Sequence, residues 1–403
     1  MSIEDQTVRS PWATLWFSPR QTIEQLVATG PTHLVWWLAI LGTIAGAGQQ
    51  IAVADGLDLL ANWRFALGLV VLCAVAGIVR LYISAAILNW IARLLGGQAA
   101  TLQMRTVLAW STPPTILGAI IIAVVVTVTG GSTVVSDLVN SLLILIFALW
   151  SFVLFLLMLG RVEHFGVGRS LLTALLNLAL AFVFAIFVRS FLYQPFNIPS
   201  GAMRPTLVVG DYFFASKFAY GYSHFSFPFS PPLFSGRILA SDPALGDIVV
   251  FRNPKDTATD YIKRVAGLPG DRVQMRDGAL YINDVEVKRE RLADVDADEA
   301  CGTARGNIKR WRETLPNGVS YETLDCLENS FLDNTNVFTV PAGQFFALGD
   351  NRDNSSDSRM PQFGFVPFEN LVGRASLIFY SRKAREAGAP GRVRTERVGM
   401  VVQ

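Results

Sequence analysis

Residues 198–220 read I-P-S-G-A-M-R-P-T-L-V-V-G-D-Y-F-F-A-S-K-F-A-Y. This stretch follows the last long apolar segment and opens the only large region with the composition of a water-soluble domain, so it lies next to a membrane surface. Gly201 and Pro205 favour an extended, non-helical backbone around Ala202, and the apolar Met203 stands among turn formers. The pattern predicts a peptide-binding edge.

The composition is that of a membrane protein. The chain has 403 residues, of which 51% are hydrophobic and 16% charged, with a mean hydropathy of +0.39. Its net charge of +2 comes without a basic block, so we predict no nucleic-acid partner. The three histidines lack ligand spacing, and we predict no metal and no cofactor. Glu4 and Asp5 precede any apolar core, so we expect no cleavable signal peptide.

The sequence predicts a multidomain α + β membrane protein. Residues 1–33 form a cytoplasmic lead with an interfacial segment, residues 34–191 a transmembrane domain, residues 192–381 an extracytoplasmic domain, and residues 382–403 a polar tail. The transmembrane domain contains five apolar segments of about the ~20 residues that span a bilayer. They are residues 34–54, 65–92, 107–129, 138–160 and 170–191.

The distribution of basic residues predicts the orientation. Placing the N-terminus in the cytoplasm of a cell bounded by an inner (plasma) membrane puts six arginines inside: Arg9, Arg20, Arg93, Arg105, Arg161 and Arg169. The outer loops keep only Arg64, beside Asp55, Asp58 and Asp137. Five spans then deliver residues 192–403 to the outer side.

The second half predicts a mostly antiparallel β domain. Short β-branched or aromatic runs separated by turn residues occur at 246–251, 260–265, 279–282, 285–287, 337–340, 344–348 and 371–380. Asn283-Asp284 predicts a tight hairpin. The one helical pattern in this region is a single turn near 285–295.

Three polar groups of residues are candidates for a common site: Ser200–Met203, Tyr261–Arg264 and Gly349–Arg359. Lys263 stands among apolar residues, and burial would lower the pKa of its amine until it can serve as a general base. Alone, such a lysine is also compatible with a surface residue, and the third group with a tight loop or a cation site.

The combination is more specific than its parts. I-P-S-G-A-M-R-P, G-D-I-V-V-F, D-Y-I-K-R-V-A-G-L-P-G-D, G-D-N-R-D-N-S-S-D-S-R, G-F-V-P and L-V-G-R occur in this order, and residues 185–381 thereby resemble bacterial signal peptidase I. The S-P-R at 18–20, the S-T-P-P at 111–114 and the five apolar segments resemble the Yip family of membrane domains, which implies a membrane domain without catalysis of its own.

The first resemblance implies a membrane-bound serine endopeptidase with a Ser/Lys dyad. Its partners would be membrane lipids and exported preproteins with small residues at the cleavage site. Lys263 would be the general base, and Ser200 with the backbone amide of Ala202 the oxyanion hole. The resemblance assigns Ser355 to orienting the amine, Asp357 and Arg359 to supporting that loop, and Arg264 and Asp350 to a structural ion pair. The walls of the substrate site would be Ile198, Pro199, Met203, Leu207, Tyr261 and Ile262.

Ala202 departs from the family pattern, because the nucleophilic serine stands at this position in signal peptidase I. A methyl group cannot attack a carbonyl, so the covalent route is lost. An engineered replacement, a natural paralogue that binds preproteins without cutting them, and an enzyme that uses Ser200 instead remain open. A separate trafficking or assembly role of the membrane domain is a further alternative.

The cysteines predict one disulfide. Cys301 and Cys326 lie in an insertion on the outer side, where oxidation is permitted, and we expect a bridge rather than two free thiols. Cys73 is expected to be a buried small hydrophobe in the second apolar segment.

Overall fold

The computed structural model describes residues 10–53, 63–129, 134–296, 301, 307–327, 329–383 and 393–403. They form two compact units, Met1–Val183 and Phe184–Gln403. Arg9, Asp55 and Asp58, which entered the orientation argument, lie outside the described residues.

Eight α-helices are described, seven of them entirely in the first unit. They are α1 Pro11–Thr14, α2 Pro19–Thr29, α3 Val35–Val53, α4 Trp63–Leu94, α5 Thr101–Trp110, α6 Pro113–Thr129, α7 Val134–Val162 and α8 Val167–Phe187. Pro19 and Pro113 stand at the starts of α2 and α6, where a missing backbone N–H costs nothing. Thr112 separates α5 from α6 within one predicted segment.

The expected number of membrane spans is wrong by one. Among the described residues, four segments are long and apolar enough to cross a membrane: Ala66–Leu94, Thr101–Val128, Asp137–Val162 and Val167–Leu192. The first predicted segment forms α3, whose 19 residues extend about 28 Å, slightly less than the ~30 Å hydrocarbon core. Gln49 and Gln50 shorten its apolar part further.

The two N-terminal helices pack onto one end of this bundle. Leu15, Ile23 and Leu26 join the buried cluster that contains Trp110 and Met158. The indole of Trp110 donates a hydrogen bond to the carbonyl of His33 at 3.2 Å. The predicted lead is therefore, from residue 10 onward, an ordered part of the membrane domain.

The second unit is built from antiparallel β-sheets, as predicted. Its strands are β1 Tyr193–Asn197, β2 Asp211–Ser216, β3 Ile248–Arg252, β4 Asp260–Gly267, β5 Arg272–Arg276, β6 Ala279–Ile282, β7 Val285–Glu286, β8 Lys288–Arg291, β9 Val295–Asp296, β10 Asn307–Thr314, β11 Ser320–Asp325, β12 Phe338–Thr339, β13 Gln344–Leu348, β14 Val366–Pro367 and β15 Leu371–Ser381. The main sheet has the order β1-β2-β15-β3-β4-β13-β14, and two smaller sheets have the orders β11-β10-β8 and β12-β5-β6-β7.

The hairpin prediction is confirmed and the helical turn near 285–295 is wrong. Asn283 and Asp284 both have positive φ between the antiparallel strands β6 and β7, as a two-residue hairpin requires. The region of the expected turn forms β7 and β8 instead. β8 pairs with β10, a long-range contact that local helical periodicity cannot report.

The expected polar tail also differs from the structure, because residues 393–403 pack against the β domain. Val402 packs in a core cluster, and its backbone N–H donates a hydrogen bond to the carbonyl of Ser376. Arg397 binds the fully buried carboxylate of Asp211 through Nη2 at 2.6 Å and Nε at 3.0 Å. A basic residue that resembles solvated tail in the sequence is thus the partner of a buried charge.

Removing that partner should destabilise the domain. In Arg397→Met, Asp211 stays buried with fewer donors, so we expect the free energy of unfolding to fall by about 2 kcal/mol. The matched control is Arg272→Met, which removes an exposed ion pair with Asp284 and should change it by less than about 1 kcal/mol. Chemical unfolding in detergent, followed by circular dichroism, measures both. Equal effects of the two substitutions would contradict the assignment.

Candidate active site

Lys263 is buried in the middle of the main sheet. Its strand β4 lies between β3 and β13, and Lys263 pairs in register with Val249. Only 4% of the residue is exposed. Burial lowers the pKa of the amine from 10.5 to about 8, even though the carboxylates of Asp357 and Asp350 act in the opposite direction. At pH 7 roughly a tenth of this amine is therefore uncharged, far more than for a lysine with an ordinary pKa.

Ala202 lies in a short turn and not in the extended backbone that the sequence predicts. Residues Gly201–Met203 form one turn of 3-10 helix, closed by a hydrogen bond from Arg204 N–H to the Gly201 carbonyl at 3.1 Å. Ser200 before the turn and Arg204 after it are extended. The turn reverses the chain locally and leaves Ala202 8% exposed.

The loop that begins at Gly349 holds this turn in place. Asn351 donates its backbone N–H to the Ala202 carbonyl at 3.1 Å and its side-chain amide to the Gly201 carbonyl at 3.2 Å. A Cβ at Gly349 would lie 2.2 Å from Ser355 Oγ and 2.7 Å from the Ala202 carbonyl oxygen. Glycine is therefore required at position 349. Because it has no side chain, Ser355 and the Ala202 carbonyl can lie close together.

Asp357 fixes the far side of the same loop. Its buried carboxylate accepts hydrogen bonds from Arg359 Nε at 2.9 Å, Arg359 Nη2 at 2.8 Å and Gly349 N–H at 3.1 Å. Burial, the largest single cause, would raise the pKa of Asp357, but the charge and hydrogen bonds of Arg359, the charge of Lys263 and the Gly349 N–H together outweigh it, and the net shift is downward. Ser355 Oγ is buried and has no hydrogen-bond partner among the described residues, so it can accept one from an amine or a ligand.

The predicted ion pair of Arg264 and Asp350 is present. Arg264 Nε and Nη2 each lie 2.8 Å from a carboxylate oxygen of Asp350, and both side chains are 1% exposed. Thr206, just after the Ala202 turn, donates to the same carboxylate. Because neighbouring side chains alternate along a strand, Arg264 meets this partner on the face opposite Lys263.

These elements enclose a cleft of about 470 Å³. Nine predicted residues line it: Ile198, Pro199, Ser200, Ala202, Met203, Tyr261, Ile262, Lys263 and Ser355. Leu207, a predicted wall residue, does not; it is fully buried in the core cluster of Ile198 and Phe213. Arg264, Asp350, Asp357 and Arg359 lie behind the cleft.

Six residues without an assigned role also line the cleft: Thr259, Asp260, Asp353, Asn354, Ser356 and Met360. Asp353, Asn354 and Ser356 belong to the third predicted group and Asp260 opens a quoted motif, so sequence reasoning missed only Thr259 and Met360, which stand directly beside the motifs. The disulfide Cys301–Cys326 is present and adjoins this rim, because Asp353 accepts hydrogen bonds from Cys326 N–H at 2.7 Å and Leu327 N–H at 2.9 Å.

A comparison with known families decides the classification. Residues 171–380, slightly more than half of the chain, match the family described as "Signal peptidase, peptidase S26". The chain belongs to the signal peptidase I family. Residues 12–188 match the family described as "Yip1 domain", so the chain carries a second domain in addition to the peptidase region.

Two relatives agree with this assignment, and one solved structure is also similar in sequence. The signal peptidase I of Rickettsia conorii is 43% identical over 215 residues, which cover 51% of this chain and 79% of that protein. That of Rickettsia typhi is 43% identical over 207 residues, covering 49% and 76%. A crystal structure of a signal peptidase I from Enterococcus faecalis is 31% identical, with 33% of this chain and 97% of that chain covered and a TM-score of 0.20.

The contact at Gly349 gives a direct test of the site. In Gly349→Ala the new methyl group would overlap Ser355 and the Ala202 carbonyl, so the loop must move away from the turn. We expect a loss of about 1–3 kcal/mol in the free energy of unfolding. Gly46→Ala in α3 is the control, since no atom lies within 4 Å of a Cβ there. An alanine at position 349 that leaves the unfolding transition unchanged would show that the loop is not held as described.

Proposed function

We propose that this chain has a signal peptidase site disarmed at one position: it binds the signal peptides of exported preproteins in the cleft at Ala202 and keeps the other groups needed for cleavage, but it does not cleave because it lacks the nucleophilic oxygen. The observation that carries the proposal is that Lys263, Ser355 and Ala202 line one cleft. In the proposed roles, the base Lys263 and its neighbour Ser355 surround a position that has only a methyl group. Cleavage of signal peptides is the activity of the family. The loss of that activity is proposed for this chain from the alanine at position 202.

The proposed roles follow from burial and hydrogen bonding. Lys263, with its lowered pKa, would accept the proton of a nucleophile at position 202, and the unpartnered Ser355 hydroxyl would orient the amine. The exposed Ser200 hydroxyl and the backbone N–H of Ala202 would bind the carbonyl oxygen of the scissile bond. Asp357 and Arg359 would hold the Ser355 loop.

Small side chains are the expected specificity. Ile198 and Met203 are 2% and 1% exposed, so they fill the floor of the cleft and leave little depth beneath Ala202. Tyr261 and Ile262 are partly exposed along its side. An extended peptide laid between them would have room for alanine-sized side chains at alternate positions.

The membrane orientation we propose rests on the arginines beside the four spans. Arg93 and Arg105 flank the connection between the first and second spans, and Arg161 and Arg169 flank that between the third and fourth. The positive-inside rule places both connections in the cytoplasm, and the residues after the fourth span outside an inner (plasma) membrane. Glu24 of α2 pairs with Arg161, so α2 lies at the same end of the helices as the connection between the third and fourth spans.

A second candidate function is a dedicated binding module. Ala202 favours it, because a protein that only holds signal peptides needs the cleft but not the nucleophile. The two candidates differ in what the rest of the site can still do once a hydroxyl group is supplied.

Ala202→Ser should therefore create or restore cleavage. We expect kcat/KM for a preprotein with an Ala-x-Ala site to rise roughly a thousandfold or more over the unmodified chain, because the other groups are in place. Gel analysis of preprotein processing in liposomes measures it. Ala202→Ser combined with Lys263→Met is the control and should remain inactive.

Two results would contradict this interpretation. Cleavage by neither chain would favour the binding module. Cleavage by the unmodified chain that disappears in Ser200→Ala would identify Ser200 as the nucleophile.

The pH dependence of the Ala202→Ser chain should report Lys263. A general base acts when deprotonated, so kcat/KM should fall about tenfold for each pH unit below about 8 and level off above it. Lys217 is the control, since burial also lowers its pKa, to about 7, while its amine donates to Gln194 outside the cleft. Lys217→Met should leave the midpoint unchanged; a midpoint that moves with Lys217 would remove Lys263 from the role of base.

A further inference from the structure

A second cleft lies at the end of the membrane domain where α7 meets α8. It has a volume of about 370 Å³ and is lined by Arg20 of α2, Arg161 and Leu157 of α7, His164 and Phe165 of the connection, and Ser170 of α8. None of these residues belongs to the β domain. The cleft is therefore separate from the candidate active site.

The cleft is rich in positive charge. Arg20 and Arg161 both line it, and Arg169 lies next to Ser170 with its guanidinium 6.0 Å from the ring centre of Phe165. Glu24 neutralises Arg161, but no described acidic side chain forms an ion pair with Arg20 or Arg169. The buried Glu163 instead accepts a hydrogen bond from the backbone N–H of Ala99 at 3.0 Å. The charges that remain attract an anion.

The shape of the cleft is fixed by close backbone packing. Phe165 N–H donates to the Gly160 carbonyl at 2.8 Å, and a Cβ at Gly160 would lie 2.8 Å from Ser170 Oγ. The 21-residue helix α8 begins at Val167, so its first backbone N–H groups and the positive end of its dipole adjoin the arginines. The cationic groups converge on a preformed cavity.

Its other wall is apolar and belongs to a membrane span. Leu156 and Leu157 line the cleft within the span Asp137–Val162. Trp12 of α1 and Phe17 of the connection between α1 and α2 are exposed, at 43% and 89%, which is typical of segments at the membrane interface. A ligand that fits both walls has an anionic head and an apolar chain.

We propose that this cleft binds an anionic phospholipid, with its phosphate at Arg20 and the N-terminal end of α8 and an acyl chain along Leu156 and Leu157. Basic pockets at the cytoplasmic ends of membrane helices suit such headgroups. The lipid would join α2 to the α7–α8 connection and so fix the N-terminal helices against the bundle. This proposal does not depend on the state of the active site.

The experiment uses the full chain in a neutral detergent. Short-chain phosphatidylglycerol, short-chain phosphatidylcholine and inorganic phosphate are each titrated while thermal unfolding is followed, and native mass spectrometry counts the lipid retained. We expect phosphatidylglycerol alone to raise the unfolding temperature. Arg20→Gln should weaken its apparent affinity roughly fivefold. Arg93→Gln, an exposed arginine in the last turn of α4 outside the cleft, should not.

Three results would overturn the proposal. Equal weakening by Arg20→Gln and Arg93→Gln would mean that general surface charge attracts the lipid. Stabilisation by inorganic phosphate as strong as by phosphatidylglycerol would mean a soluble anion site. Lipid retention in the mass spectrum that Arg20→Gln leaves unchanged would exclude the cleft whatever the unfolding curves show.

Discussion

The buried pair of Arg264 and Asp350 holds together the three segments from which the candidate active site is built. Arg264 belongs to β4, Asp350 opens the loop that carries Ser355, and Thr206 joins them from the segment after the Ala202 turn. Both charges are almost inaccessible to water, so removing one partner would leave the other unpaired at a cost of about 3–5 kcal/mol. The positions of Lys263, Ser355 and the Ala202 turn therefore depend on one ion pair.

Lys263, the residue before Arg264, is also buried, but its charge is not balanced in the same way. Arg264 has a bidentate partner and a tyrosine ring 4.0 Å beneath its guanidinium, whereas burial of Lys263 has no comparable compensation. Of the carboxylates, Asp357 raises the pKa of Lys263 most, but Asp357 is already bound by Arg359. The strand thus places a permanently charged residue on one face and an amine with a lowered pKa on the other. Because both residues lie on one β-strand, their side chains are held on opposite faces of the sheet and no flexible loop is involved.

The retained geometry around Ala202 explains why a missing oxygen need not disturb the fold. The hydrogen bonds that hold the turn go to the carbonyls of Gly201 and Ala202, and none goes to a side chain at position 202. A serine hydroxyl there would be a chemical addition and not a structural one. The fold consequently keeps the cleft whether or not the nucleophile is present, which is what both proposed functions require.

The sequence by itself determined the family, the antiparallel β domain, the hairpin at Asn283-Asp284 and nine of the residues that line the cleft, because these depend on local motifs and strand patterns. Tertiary structure alone decided the rest. The 3-10 turn at Ala202 depends on Asn351, far away in the chain, and Arg397 becomes the partner of a buried charge only because Asp211 lies beside it. Leu207 does not line the cleft for the same kind of reason, because its side chain packs in the core cluster. Burial and long-range pairing are properties of the folded chain, and no short window of sequence contains them.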